Sequence, residues 1–209
     1  LNISVIPDRH PELNFYSEPK VIGSSIKFIL NASDDYRLRK VLVSVLRPSE
    51  FKHFTSKAIE FDLSLEMNEN SRKIRNYFYQ NLSDHIWAGH QSRIIITAFD
   101  DLNQNTKIEK KISIPSKEFI NKSAKDIYFI RKEIALKNLD LKKARNSLKD
   151  IINKEGALLK NQAISKKYEE ILRVFSDLKE APLNYSHILY NYLWQLALLL
   201  EERESFMVK

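Results

Sequence analysis

Up to Pro115 the apolar residues of this chain recur at every second position. The runs "SIKFILNA" (25–32), "KVLVSVL" (40–46), "IEFDLSL" (59–65), "IRNYFYQ" (74–80), "RIIITAF" (93–99) and "KIEKKISI" (107–114) are short and rich in β-branched or aromatic residues, and "NISVI" (2–6) opens the series. In "IEFDLSL", Ile59, Phe61, Leu63 and Leu65 point one way while Glu60, Asp62 and Ser64 point the other. That alternation belongs to a strand with one face buried and one face wet. Turn clusters such as "NASDDYR", "RPSE", "NENSR" and "DDLNQN" separate the runs. About seven strands with no helix between them predict an immunoglobulin-like antiparallel β-sandwich over residues 1–115.

Beyond Pro115 the rhythm changes. Ile120, Ile127, Ile134, Leu141 and Leu148 recur every seven positions, and the companion line Ala124, Arg131, Asn138, Arg145 and Ile152 is polar through its middle. One clean seam beside one polar seam predicts a long helix, about 116–155, docked along a narrow coiled-coil-like stripe, with Gly156 as its stop. Ile164, Tyr168, Ile171, Phe175 and Leu178 predict a second helix, about 157–180, broken at "EAP" by Pro182. A third, about 184–206, is apolar nearly all round over "ILYNYLWQLALLL" and calls for partners on more than one side. The expected architecture is therefore a sandwich followed by an α-helical hairpin or bundle over 116–209.

Composition narrows the chemistry. The chain has no cysteine, which removes disulfides, zinc-thiolate sites and cysteine nucleophiles. The longest apolar stretch, residues 188–200, is shorter than the roughly 18 residues a membrane-spanning helix needs. The chain opens on Leu1 with no signal-like run, so it reads as a segment of a longer protein. Of the +7 net charge, most sits in residues 116–180, where 16 basic groups face 10 acidic ones.

Three stretches invite a chemical reading. "DHIWAGHQSR" (84–93) holds two histidines, but His85 and His90 are five apart around Gly89 and share no face. A connection whose Trp87 plugs one end of the sandwich, with Gly89 in a conformation other residues resist, accounts for it better. The acidic turns Asp34-Asp35 and Asp100-Asp101 each follow a strand and could meet at one end to hold calcium or serve a metal-dependent enzyme module acting on envelope polymers. Asp and Asn are also the ordinary residues of turns, and the alternating calcium-loop pattern is absent. Between Arg131 and Lys149 seven basic residues face two acidic ones, and Arg131, Lys132, Lys142, Lys143, Arg145 and Lys149 could lie near an anionic membrane or, less well, nucleic acid. A solvated helix face explains the same charges. No Gly-x-Ser-x-Gly elbow and no phosphate-cradling loop is present, so no catalytic residue and no cofactor is expected.

Several stretches in order carry a family resemblance. "NASDDYRLRKVLVSV" resembles an Asp-Asp-Tyr-Gly turn entering a strand, and "HIWAGHQSRIIITAFDDLNQN" resembles a Pro-Trp-Ala-Gly segment followed by a strand and an Ala-x-Asp-x-x-Gly-Gln turn. "ISIPSKEFINKSAKDIYFIRKEIA" resembles a Leu-Pro-Glu-Arg-x-Phe junction, and "YLWQLALLLEE" a Leu-Trp-x-x-Ala-Leu-x-x-Glu helix containing Trp194. Together they resemble a family of large uncharacterised bacterial inner-membrane proteins known only as a domain of unknown function. Arg37, Ile86 and Asn103 depart from it, standing where the family has Gly, Pro and Gly. The resemblance implies membrane helices upstream, an outward-facing (periplasmic) Ig-like region and a helical region, with Trp87 to Gly89 as a structural junction. It implies no activity. The expectation is a non-catalytic envelope scaffold or protein-interaction module, self-associating or meeting an envelope partner through the 184–206 helix.

Overall fold

The computed structural model describes residues 7–64, 71–154, 156, 160–178 and 186–207. The chain divides into two compact units, Leu1–Lys117 and Glu118–Lys209. The first is a sandwich with seven strands among its described residues: β1 (Glu12–Ile22), β2 (Ser25–Ser33), β3 (Leu38–Leu46), β4 (Ala58–Asp62), β5 (Lys73–Asn81), β6 (Gln91–Asp100) and β7 (Asn105–Ser113). One sheet runs β1-β2-β5 and the other β4-β3-β6-β7, with every pairing antiparallel. The chain changes sheets between β2 and β3, β4 and β5, and β5 and β6, so consecutive strands close a core between the layers. Into it point Ile26, Phe28 and Leu30 of β2, Val41, Val43 and Val45 of β3, and Ile94 and Ile96 of β6, all shielded from solvent. Phe78 of β5 stacks on Phe28 at 4.5 Å and meets Phe61 of the opposite sheet edge-on at 5.2 Å.

Six of the seven strands stand where the alternation places them. The run "NISVI" lies outside the described residues. The seventh strand is β1, which the period-two reading passes over because Pro19 interrupts it. Proline donates no ladder hydrogen bond and is tolerated on an edge strand or at a bulge, and β1 supplies both: it is the sheet's edge, and its register against β2 slips between Ser17 and Lys20.

Among its described residues the second unit holds four helices rather than three: α1 (Lys122–Ala135), α2 (Leu141–Lys154), α3 (Gln162–Asp177) and α4 (Ser186–Met207). The single helix expected over about 116–155 is corrected to α1 and α2, and its start moves to Lys122, where Asn121 caps the helix by accepting the Ala124 N–H at 2.8 Å. Lys137 stops α1. It adopts a left-handed φ of 60°, its N–H reaches the Ile134 carbonyl at 3.0 Å and the Asn138 N–H reaches Glu133 at 2.9 Å. That pair of bonds is a Schellman ending. Asp140 then starts α2 by accepting the Lys143 N–H at 2.8 Å. The seven-residue spacing runs through this break because Ile127 and Ile134 on α1 and Leu148 on α2 are all buried, whereas Ile120 ahead of α1 is 88% exposed.

Helix α4 packs against both α1 and α3, and α2 lies against α1. Leu189, Leu193, Leu196, Ala197 and Leu200 of α4 are buried. Among the described residues, the apolar circumference that calls for partners finds them largely within its own unit, where Leu198 and Leu199 remain half-buried.

Candidate functional site

The turn segment between β5 and β6 resolves the two histidines. Trp87 is 1% exposed, and Gly89 takes a φ of 83°, the left-handed region where a side chain is strained. The Gly89 N–H donates to the Ile114 carbonyl at 2.8 Å, and the Ile114 N–H returns the bond to His90 at 2.9 Å, so the corner is sewn to the end of β7. His85 turns toward Trp87, with ring centroids 4.6 Å apart and its Nδ1 accepting the Trp87 N–H at 3.2 Å. His90 faces Phe51, 4.9 Å away edge-on, and its Nδ1 lies 3.3 Å from the Glu50 carboxylate. Glu50 is held below the usual carboxylate range, chiefly by its own backbone N–H and then by His90. The two imidazoles serve different neighbours, as parts of a corner.

The acidic turns lie at sandwich loops together with Asp8, which the sequence alone does not single out. Asp34 and Asp100 are buried; Asp35 and Asp101 are exposed. Oδ1 of Asp34 accepts the N–H of Tyr36 at 3.0 Å and of Arg37 at 2.6 Å, while Oδ1 of Asp100 accepts the Gln104 N–H at 2.7 Å. Each carboxylate therefore staples its own turn. Asp101 pairs with Arg37 at 3.4 Å, and Oδ2 of Asp8 accepts from the Gln104 amide at 2.9 Å. The remaining oxygens of Asp8, Asp34 and Asp100 are closed from solvent and have no hydrogen-bond partner among the described residues. Burial first, then the charges of Asp100, Asp35 and Asp34, push the Asp8 carboxyl above its usual range. No three Asp, Glu or His side chains among the described residues are grouped to hold a metal ion.

Asn103 explains one departure from the family pattern. It has a φ of 63°, the conformation a glycine would take there, and asparagine is among the residues that tolerate it. The Arg39 guanidinium holds its side chain at 2.8 Å. Arg37, in the other turn, has no positive φ and needs no glycine.

The basic stretch separates into unlike environments. Arg131 is corrected from surface to core: it is 4% exposed, donates from Nε to the Tyr190 carbonyl at 2.9 Å, and sits 5.2 Å from the Trp194 ring. The reason is the stripe itself, because position 131 falls on the face α1 turns to α4. Trp194 is also met edge-on by Phe119 at 5.6 Å and Tyr128 at 5.9 Å, which makes it the aromatic centre of the helical unit. Lys132 is half-buried and its amine is held below its usual range, first by desolvation. Arg145 and Lys149 are half-buried, while Lys142 and Lys143 are exposed, Lys143 lying 3.6 Å from Asp140. No helix of the described residues is long and apolar enough to cross a membrane.

The ordered motifs converge on one group of proteins. A family described as "Domain of unknown function (DUF4175)" matches residues 1–204. The chain belongs to this family. No match to a curated protein is found. Among solved structures, the chain is similar to the PKD1 domain of Epp from Vibrio anguillarum, with 12% identity, covering 53% of this chain and 100% of that one at a TM-score of 0.31. It is also similar to OgpA from Akkermansia muciniphila in two crystal forms, 10% and 9% identical at a TM-score of 0.39, over 53% of this chain. The match spans only 29% and 30% of those OgpA chains.

One surface escapes a reading made strand by strand. The outer face of the β1-β2-β5 sheet carries Tyr16, Tyr77 and Tyr79, which are 60%, 50% and 55% exposed. Its cross-strand rows follow from the register: Glu12, Ser33 and Lys73; Asn14, Asn31 and Arg75; Ile29 and Tyr77; Lys20, Lys27 and Tyr79. Arg75 donates to Asn31 at 2.9 Å and Asn31 donates to Asn14 at 3.3 Å, a chain across all three strands. The Arg75 guanidinium lies 4.1 Å from the Tyr16 ring centre and the Lys27 amine 5.0 Å from that of Tyr77. Four cations and three tyrosines thus share a face with Glu12, while the exposed Glu18 of the same strand pairs with Lys110 of β7. The signal available in the sequence is the alternation "KIRNYFY", whose polar positions read Lys, Arg, Tyr and Tyr.

Proposed function

We propose that this chain is a non-catalytic interaction module of a larger bacterial envelope protein, facing the periplasm, and that it contacts an acidic protein surface through the outer face of the β1-β2-β5 sheet. The observation carrying this reading is the exposed Tyr16, Tyr77 and Tyr79 set among Lys20, Lys27, Lys73 and Arg75. Tyrosine and arginine are the side chains most enriched where proteins bind one another, since they bring large rigid area together with a polar handle. The excess of cations supplies the complementarity that selects an acidic partner. Helix α4 is the weaker candidate because α1 and α3 already occupy much of its apolar surface. One oxygen of Asp34 and one of Asp100 are engaged by turn amides, which favours a turn-stapling role for these carboxylates over a catalytic one.

A photo-crosslinking residue placed at Tyr77 or Tyr79 in the full-length protein, in cells, tests the proposal. A discrete adduct with an acidic protein is expected at both positions, absent at Lys107 on the other sheet and lost when Arg75→Glu is added. No adduct at either tyrosine, or one that survives Arg75→Glu, overturns it.

A further inference from the structure

The opposite sheet carries a second feature, independent of the tyrosine face. A groove of about 440 Å³ is lined by Leu46, Arg47, Pro48, Ser49, Gln91, Ser92, Arg93 and Lys111. Three of these eight are cations and none is an acid. Leu46 and Pro48 contribute apolar wall, and Ser92 ties the strands beneath by donating to the Leu46 carbonyl. Arg47 is held in place by its own donation to the Phe54 carbonyl.

Arg93 on β6 and Lys111 on β7 are direct cross-strand partners. Like charges placed opposite each other in an antiparallel pair are destabilising. Arg93 is relieved in part by Glu109, 3.4 Å away on an exposed pair, whereas Lys111 pairs with no carboxylate among the described residues. A local rule broken with only one exposed carboxylate to offset it, on a concave surface, is the kind of departure found at sites shaped for a ligand rather than for stability. The missing compensation is an anion. A guanidinium fork and a mobile ammonium, with a second guanidinium beside them, match a tetrahedral dianion better than a planar carboxylate, because phosphate offers acceptors to both kinds of donor at once.

We infer that this groove binds a phosphate group, with Arg93 and Lys111 as its principal contacts and Arg47 as the third. Such a group reaches the chain either as a free phosphate compound or as the headgroup of an anionic phospholipid, and the chemistry at the groove is shared.

The test titrates the 209-residue chain with inorganic pyrophosphate, and separately with vesicles of phosphatidylglycerol in phosphatidylcholine against phosphatidylcholine alone. Saturable binding to at least one anionic probe is expected, weakening as salt rises. Arg93→Gln with Lys111→Gln should weaken it about tenfold or more, since hydrogen bonds to charged groups are lost. Glu109→Gln should strengthen it, about threefold, by releasing Arg93 from its exposed partner. Binding to pyrophosphate alone assigns a soluble phosphate, and binding to anionic vesicles alone assigns a headgroup. Thermal unfolding shows whether each variant is folded, and the double variant should melt no lower than the parent because a like-charge pair is removed. Absence of saturable binding to both probes, or binding that the double variant leaves unchanged, overturns the inference.

Discussion

The carboxylate of Glu201, near the end of α4, accepts the backbone N–H of Asn121 at 2.9 Å and also that of Ile120 at 2.9 Å. These amides stand at the start of α1, where N–H groups lack intrahelical acceptors and the helix dipole is positive. An acid 80 residues away in sequence therefore completes the cap that Asn121 begins. Glu201→Ala is expected to destabilise the chain by about 1–2 kcal/mol, the usual range for a lost cap with a charged acceptor. Glu201→Gln, which keeps one acceptor oxygen, should lose less. Urea unfolding measures both.

Arg131 makes an opposite kind of prediction for the basic stretch. Its buried Nε bond to Tyr190 means that Arg131→Ala should cost about 2–3 kcal/mol in stability, as for other hydrogen bonds made by charged groups. Lys142→Ala and Lys143→Ala, on the exposed turn, should each change stability by less than about 0.5 kcal/mol. If Arg131→Ala unfolds like the parent, the residue is not the core anchor described.

Lys137 pays a conformational penalty that glycine would not. With φ at 60° it ends α1 in the left-handed region, where an L side chain costs roughly 1–2 kcal/mol. Lys137→Gly should raise stability by about 1 kcal/mol while leaving helix content unchanged by circular dichroism. A fall in stability would mean that the Lys137 side chain does more than end the helix.

The pH dependence at the acidic turns has a definite sign. Asp8 holds its proton more tightly in the folded chain than the ordinary value of 3.8, because of desolvation first and then the neighbouring carboxylates. Its contribution to stability is complete below that value and is lost as the pH climbs through the raised one. Asp8→Asn keeps an oxygen for Gln104 and removes the charge. The variant should melt above the parent at pH 7, with the difference closing by about pH 3. A variant that melts lower at pH 7 would show that the carboxylate is compensated in place.

No cysteine occurs in these 209 residues, so a cysteine introduced here, read against the labelling of the unsubstituted full-length protein, tests the proposed orientation. A single Tyr79→Cys substitution in the full-length protein should react with a membrane-impermeant maleimide in cells whose outer membrane is permeabilised. Labelling only after the inner membrane is lysed would place the sheet on the other side.

What the sequence determined by itself is whatever depends on near neighbours along the chain. Alternation in "SIKFILNA" and "RIIITAF" settles strands because the side-chain period of a pleated strand is a local property. That strands precede helices, and the junction at Trp87 and Gly89, were legible for the same reason. Tertiary structure alone decided what depends on register or on distant partners. Strand β1 survives Pro19 only because it lies at an edge; Arg131 is core because α4 covers it; Glu201 finds its amides across 80 residues. The tyrosine face and the Arg93–Lys111 pair exist only once strands far apart in sequence are aligned, since a one-residue slip would send each side chain to the other side of the sheet.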